Sequence, residues 1–129
     1  MELSAFGVRA SAGTLRAGDG VVLPHAWTPE GVVVGPVTNG AQVLHLSVAM
    51  CVLNDTFREA TRLGIPVTGV LVDADGAFDD SWHSTGISYS VRLDTPAPPG
   101  DRAALLAAVD EVAEIPRALR EGATVVRTD

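Results

Sequence analysis

The chain has a single cysteine, Cys51, in the middle of its most apolar run, QVLHLSVAMCVLN over residues 42 to 54, with His45 six residues upstream. A thiol acts as a nucleophile through its thiolate, and an imidazole titrates near neutrality, so these two side chains are the first candidates for chemistry. If the run is helical, Ser47, Cys51, Asn54 or Asp55, Arg58 and Arg62 fall three or four apart and share one stripe. His45 does not share it, because six residues is about 600° of rotation and leaves its side chain about 120° from Cys51. Arg58 lies about two turns from Cys51, too far along the helix for a direct pair, so a cation that activates the thiol has to come from another part of the fold. Each residue also has a plainer reading. Cys51 can be a small buried hydrophobe, and His45, between Leu44 and Leu46, a core histidine.

His25 and Trp27 occur in VVLPHAWTPEG, where turn residues flank a short strand; they read as a hairpin edge or as ligand contacts. His83, beside Trp82, is expected at the surface. Three histidines without regular spacing and one cysteine make no metal site, and the acidic run Asp73, Asp75, Asp79 and Asp80 lacks the spacing of a calcium loop and reads as a solvated turn. No glycine-rich loop opens a helix, so no phosphate-bearing cofactor is expected, and none of another kind.

The elements that must position these groups follow from local patterning. Residues 2 to 34 hold short β-type runs punctuated by Gly18, Gly20, Pro24, Pro29, Gly31 and Gly35. Thr38 or Asn39 can cap a helix from Ala41 to Leu63, ended by Gly64 and then Pro66. Its first half is apolar almost all round and predicts burial; its second half, NDTFREATRL, is amphipathic and predicts contact with solvent. Val67, Val70 and Val72 mark a strand, and Ile87, Tyr89, Val91 and Leu93 alternate with polar residues in another. After TPAPPG, Asp101 can cap a helix with Leu105, Ala108, Val109 and Val112 inward. Pro116 interrupts it, RALREG makes a last turn, and ATVVRT predicts a closing strand. This order predicts one α+β domain over residues 1–129, with helices on one face of a mainly antiparallel sheet.

Composition narrows the partners. The chain has 129 residues, 47% of them hydrophobic and only 19% charged, which favours burial of apolar surface against a second copy. A formal charge of −7 argues against nucleic acid. The longest apolar run falls short of the ~20 residues a spanning helix needs, so no membrane span is expected. MELSAFGVRA lacks the pattern of a secretory signal and a lone cysteine forms no internal disulfide, so a cytoplasmic location is expected. All nine basic residues are arginine, which with abundant Ala, Gly and Val suggests a GC-rich bacterial source.

A cysteine about a dozen residues into a buried helix, followed by RLGIPVTGVLVDADG and later by ALREGATVV (118 to 126), resembles the OsmC/Ohr family of osmotically inducible and organic hydroperoxide resistance proteins. AMCV at 49 to 52 is similar to the family's Ala-Cys segment. The resemblance runs from Thr38 to Val126 and implies an intertwined homodimer with a pocket for a small, largely apolar molecule at the interface. It implies further that Cys51 is the attacking cysteine, that an N-terminal arginine, Arg16 or Arg9, tunes it, and that Ser47, Met50, His25 and Trp27 border the pocket. The family's resolving cysteine would fall near Ala113 and its glutamate at Ala41. Neither is present, so the two-cysteine peroxidase cycle is unavailable. Three functions stay open: a diverged enzyme using Cys51, His45 and Arg16, with acid/base chemistry in bacterial secondary metabolism as one form; a one-cysteine hydroperoxide reductase recycled by an external thiol; and a dimer that only binds an apolar ligand.

Overall fold

The computed structural model describes residues 2–129. Strands β1 (Val8–Gly13), β2 (Val21–Leu23) and β3 (Val32–Gly35) precede the long helix α1 (Gly40–Leu63). Strands β4 (Gly69–Phe78) and β5 (Ser84–Asp94) follow, then α2 (Pro99–Val112) and α3 (Glu114–Glu121). The five strands form one antiparallel sheet in the order β2-β3-β1-β4-β5. The architecture is α+β, as the patterning predicts.

Register explains the core. Ala12 faces Val70, Ala10 faces Val72 and Val8 faces Ala74 across β1 and β4, and Val34 stands beside Ala10 from β3. These residues lie on one face of the sheet, all buried, and α1 packs on them with Val48, Ala49, Val52 and Leu53. Leu105 and Val109 of α2 complete the cluster.

The limits of α1 have local causes. Asn39 Oδ1 accepts the Gln42 N–H at 3.0 Å, and Gln42 Oε1 reaches back to the Thr38 N–H at 2.7 Å, a reciprocal cap. Gly64 ends the helix in the left-handed conformation (φ 70°), which costs a glycine little.

Several expectations need correction. ATVVRT forms no strand: residues 123–128 have no regular structure, and Val125 and Val126 are 94% and 70% exposed, because no strand edge of the same chain pairs with them. The break between α2 and α3 falls at Ala113, not at Pro116. Pro116 sits in the first turn of α3, where its missing N–H is no loss, and Pro98 rather than Asp101 precedes α2 as its cap. Burial along α1 follows the expectation in part: Val48, Ala49, Val52 and Leu53 of the apolar half are buried, and Thr61, Arg62 and Leu63 at the end of the polar half are exposed. Contrary to it, Asp55, Thr56, Phe57, Glu59 and Ala60 in the polar half are buried, while Val43 in the apolar half is 52% exposed. The acidic run is not a solvated turn throughout, because Asp73 is buried and holds Arg9 through two hydrogen bonds of 2.7 and 3.0 Å. Among the described residues no helix is long and apolar enough to cross a membrane.

Candidate functional site

The stripe on α1 brings together three of the residues that spacing placed there, and α3 adds a fourth. The Cys51 thiol donates to Glu114 Oε2 at 3.5 Å and lies 4.0 Å from Asp55 Oδ2, one helical turn on. Its sulfur accepts the Ile115 N–H at 3.5 Å. Arg58 does not touch the sulfur, but its guanidinium reaches Asp55 Oδ2 at 3.2 Å and Glu114 Oε1 at 3.5 Å. A half-buried thiol therefore faces a buried carboxyl and an exposed carboxylate that one arginine bridges.

The α2–α3 break makes this contact. Ala113 is buried in extended conformation (ψ 118°), so Glu114 and Ile115 begin a new helix directly beside Cys51. This segment is also where the family resemblance placed a resolving cysteine, and a carboxylate one residue on meets the thiol instead.

Electrostatics sorts the three groups. Burial pushes the Cys51 thiol above its ordinary range; the Ile115 amide opposes this, and the charges of Asp55 and Glu114 raise it further. Burial also raises the Asp55 carboxyl. Asn54, which donates to Asp55 Oδ1 at 3.2 Å, and Arg58 oppose that rise, while Glu114 adds to it. Glu114 goes the other way: its own backbone N–H at the start of α3 lowers it most, burial opposes this, and Asp55, Cys51 and Arg58 lower it further. Two carboxyls so close do not ionise independently: the surroundings favour the protonated form of Asp55 and the charged form of Glu114. The same surroundings favour the protonated form of the Cys51 thiol.

Cys51, Asp55 and Glu114 offer one sulfur and two oxygens within 4.8 Å of one another, a spacing a metal ion could bridge. Arg58 already supplies a cation to both carboxyls, through Asp55 Oδ2 and Glu114 Oε1, and a metal ion there would face its positive charge, so the donor set fits a metal poorly.

The remaining predicted residues lie elsewhere. His45 is fully buried, stacked on Phe78 with ring centroids 5.8 Å apart, and its Nδ1–H points at the Phe6 carbonyl at 2.8 Å. Its Nε2 is buried without a partner against Gly76. In a single chain His45 thus ties the N-terminal segment to the sheet, away from Cys51. Ser47 donates to the Leu44 carbonyl of its own helix at 2.6 Å, and Met50 packs half-buried against the core. His25 lies edge-on to Phe57, 5.6 Å between centroids, with Nδ1 2.9 Å from Thr28 Oγ1; burial lowers its pKa and nearby Asn54 works against that. Arg16 and Trp27 share a groove of about 930 Å³ with Phe57 and Val33. Sequence reasoning missed Glu114. Its signal was the acidic residue in VDEVAEIP beside the break, and the alignment of that segment with the thiol was a matter of tertiary packing.

The fold is similar to the crystal structure of an OsmC-like hydroperoxide resistance protein from Jannaschia sp. CCS1, with a TM-score of 0.53 and 16% sequence identity over 93% of this chain and 91% of that one. At this identity the likeness establishes an OsmC-like fold. No family model matches the chain, and no curated protein matches it.

Proposed function

We propose that this chain is a diverged enzyme of the OsmC-like fold, performing acid/base chemistry on a small, largely apolar molecule in a pocket completed by a second copy. The observation that carries the reading is the carboxyl pair at the thiol: Asp55 raised, Glu114 lowered, both against Cys51. Glu114 would take a proton from the bound molecule and Asp55 would return one, with Arg58 steadying the charge as it moves between them. Cys51 would contribute a protonated thiol as a hydrogen-bond donor.

Uncovered apolar surface supports the second copy. Val43 on α1, Val21 and Val22 on the edge strand β2, and Val125 and Val126 in the tail are all more than half exposed. A second copy is the simplest cover for surfaces so dispersed over one small chain.

The second reading, a one-cysteine hydroperoxide reductase, is supported by the similarity to a hydroperoxide resistance protein. It requires a thiolate, and the two carboxylates at Cys51 work against one. The test is intact-mass spectrometry after a brief stoichiometric dose of an alkyl hydroperoxide, with and without an added thiol. A Cys51 that stays reduced supports the acid/base reading. Rapid oxidation reversed by the thiol would replace it with the reductase.

A further inference from the structure

Seven of the nine arginines are spoken for. Arg9, Arg58, Arg62, Arg120 and Arg127 make ion pairs, and Arg102 and Arg117 donate to backbone carbonyls. Among the described residues only Arg16 and Arg92 have no side-chain partner, and of these Arg16 lines a cavity. That groove, about 930 Å³, lies between the β1–β2 loop, the turn before β3 and the outer side of α1 at Phe57 and Thr61. The Cys51 cluster is not part of its lining.

The loop carrying Arg16 is already fixed. Ser11, fully buried, accepts the Ala17 N–H at 2.9 Å; Thr14 N–H reaches the Thr68 carbonyl at 3.0 Å, and Arg16 N–H the Gly13 carbonyl at 3.1 Å. These bonds fix the backbone from which the Arg16 side chain projects. The threonine hydroxyls of the groove spend their protons inside the protein: Thr14 on Asp94, Thr61 on the Phe57 carbonyl, Thr68 on the Asp94 carbonyl and Thr28 on the Gly31 carbonyl. The side-chain donors left for a ligand are the Arg16 guanidinium and the Trp27 indole N–H. The walls between them are apolar: Val22, Val33, Phe57 and Val67.

We infer that this groove binds a small monocarboxylate with an aromatic or branched apolar body, its head on Arg16 and its body against Phe57, Val33 and the Trp27 ring. A planar guanidinium pairs with a carboxylate through two parallel hydrogen bonds. Glu30, also in the lining and not ion-paired with Arg16, disfavours a second negative charge and so a phosphate. The inference does not rest on the chemistry at Cys51.

Calorimetric titration of the full chain at low salt with 3-phenylpropionate and with 3-phenylpropionamide tests it. The carboxylate binds saturably and the amide about tenfold more weakly or worse. Arg16→Gln removes about the same factor, whereas Arg92→Gln, the other unpartnered arginine, leaves binding unchanged. Equal binding of acid and amide, undiminished binding in Arg16→Gln, an equal loss in Arg92→Gln, or no saturable binding at millimolar carboxylate would each overturn the inference. Trp27→Ala gives an independent reading, because it weakens both probes if the aromatic body lies where we place it and neither if it does not.

Discussion

The thiol of Cys51 on α1 and the carboxylate of Glu114 at the start of α3 meet at 3.5 Å, although 63 residues separate them in the chain. A carboxylate accepting from a thiol stabilises the protonated form and withdraws the sulfur from nucleophilic work. Alkylation of Cys51 should therefore be slow at neutral pH and rise only as pH passes above the ordinary thiol range. Asp55→Asn combined with Glu114→Gln removes both charges and should speed the reaction at neutral pH. Iodoacetamide labelling followed by mass spectrometry checks both, and a fast parent rate that the double variant leaves unchanged would contradict the arrangement.

Asp55 links the site to stability. Its folded pKa is raised, so its contribution is fully present below the ordinary carboxylate range and is lost as pH rises through the folded value. Asparagine has no charge to bury. The Tm of Asp55→Asn relative to the parent should thus climb as pH rises from the ordinary carboxylate range through the raised folded value. Thermal melts across that range measure it, and a difference that falls with rising pH would show that the Arg58 pair outweighs burial.

Asp75 should behave oppositely. Burial raises its carboxyl, but the Ser4 N–H at 2.6 Å, the Ser4 hydroxyl at 2.7 Å and the Gly76 N–H at 2.8 Å outweigh that and lower it. Its contribution is present above the ordinary carboxylate pKa and lost as pH falls through the folded one. Asp75→Asn should cost about 1 kcal/mol at neutral pH and nothing in acid, with faster hydrogen exchange at Ser4.

The sequence showed some of this and hid the rest for identifiable reasons. Periodicity and capping are local, so α1 with its Asn39 and Gly64 ends, the β4–β5 alternation and the stripe of Cys51, Asp55 and Arg58 could be read directly. Burial is not local. The apolar half of α1 is partly uncovered in one chain, while Asp55 and Glu59 are buried beneath neighbours that no pattern in the sequence names. Glu114 reaches Cys51 only because the chain breaks at Ala113, and the backbone there turns for tertiary reasons. ATVVRT has the composition of a strand but no partner edge within its own chain.

His45 of α1 and Gly76 of β4 form a matched pair away from Cys51. A Cβ on Gly76 would fall 2.7 Å from His45 Nε2 and 2.6 Å from the Gly86 carbonyl oxygen. Gly76→Ala should cost roughly 1–3 kcal/mol through overpacking. His45→Ala should cost roughly 2–4 kcal/mol by leaving a cavity and freeing the Phe6 carbonyl. Denaturant melts give both values. A His45→Ala protein as stable as its parent would return His45 to the list of catalytic candidates.

The central claim is that the carboxyls at Cys51 are split into a proton holder and a proton acceptor. Carbon-13 NMR titration of the Asp55 and Glu114 carboxyls, assigned with Asp55→Asn and Glu114→Gln, measures this split. The account predicts Asp55 titrating above the ordinary carboxylate range and Glu114 below it, each moving toward its ordinary value when the other is neutralised. Two independent titrations at ordinary values would contradict it.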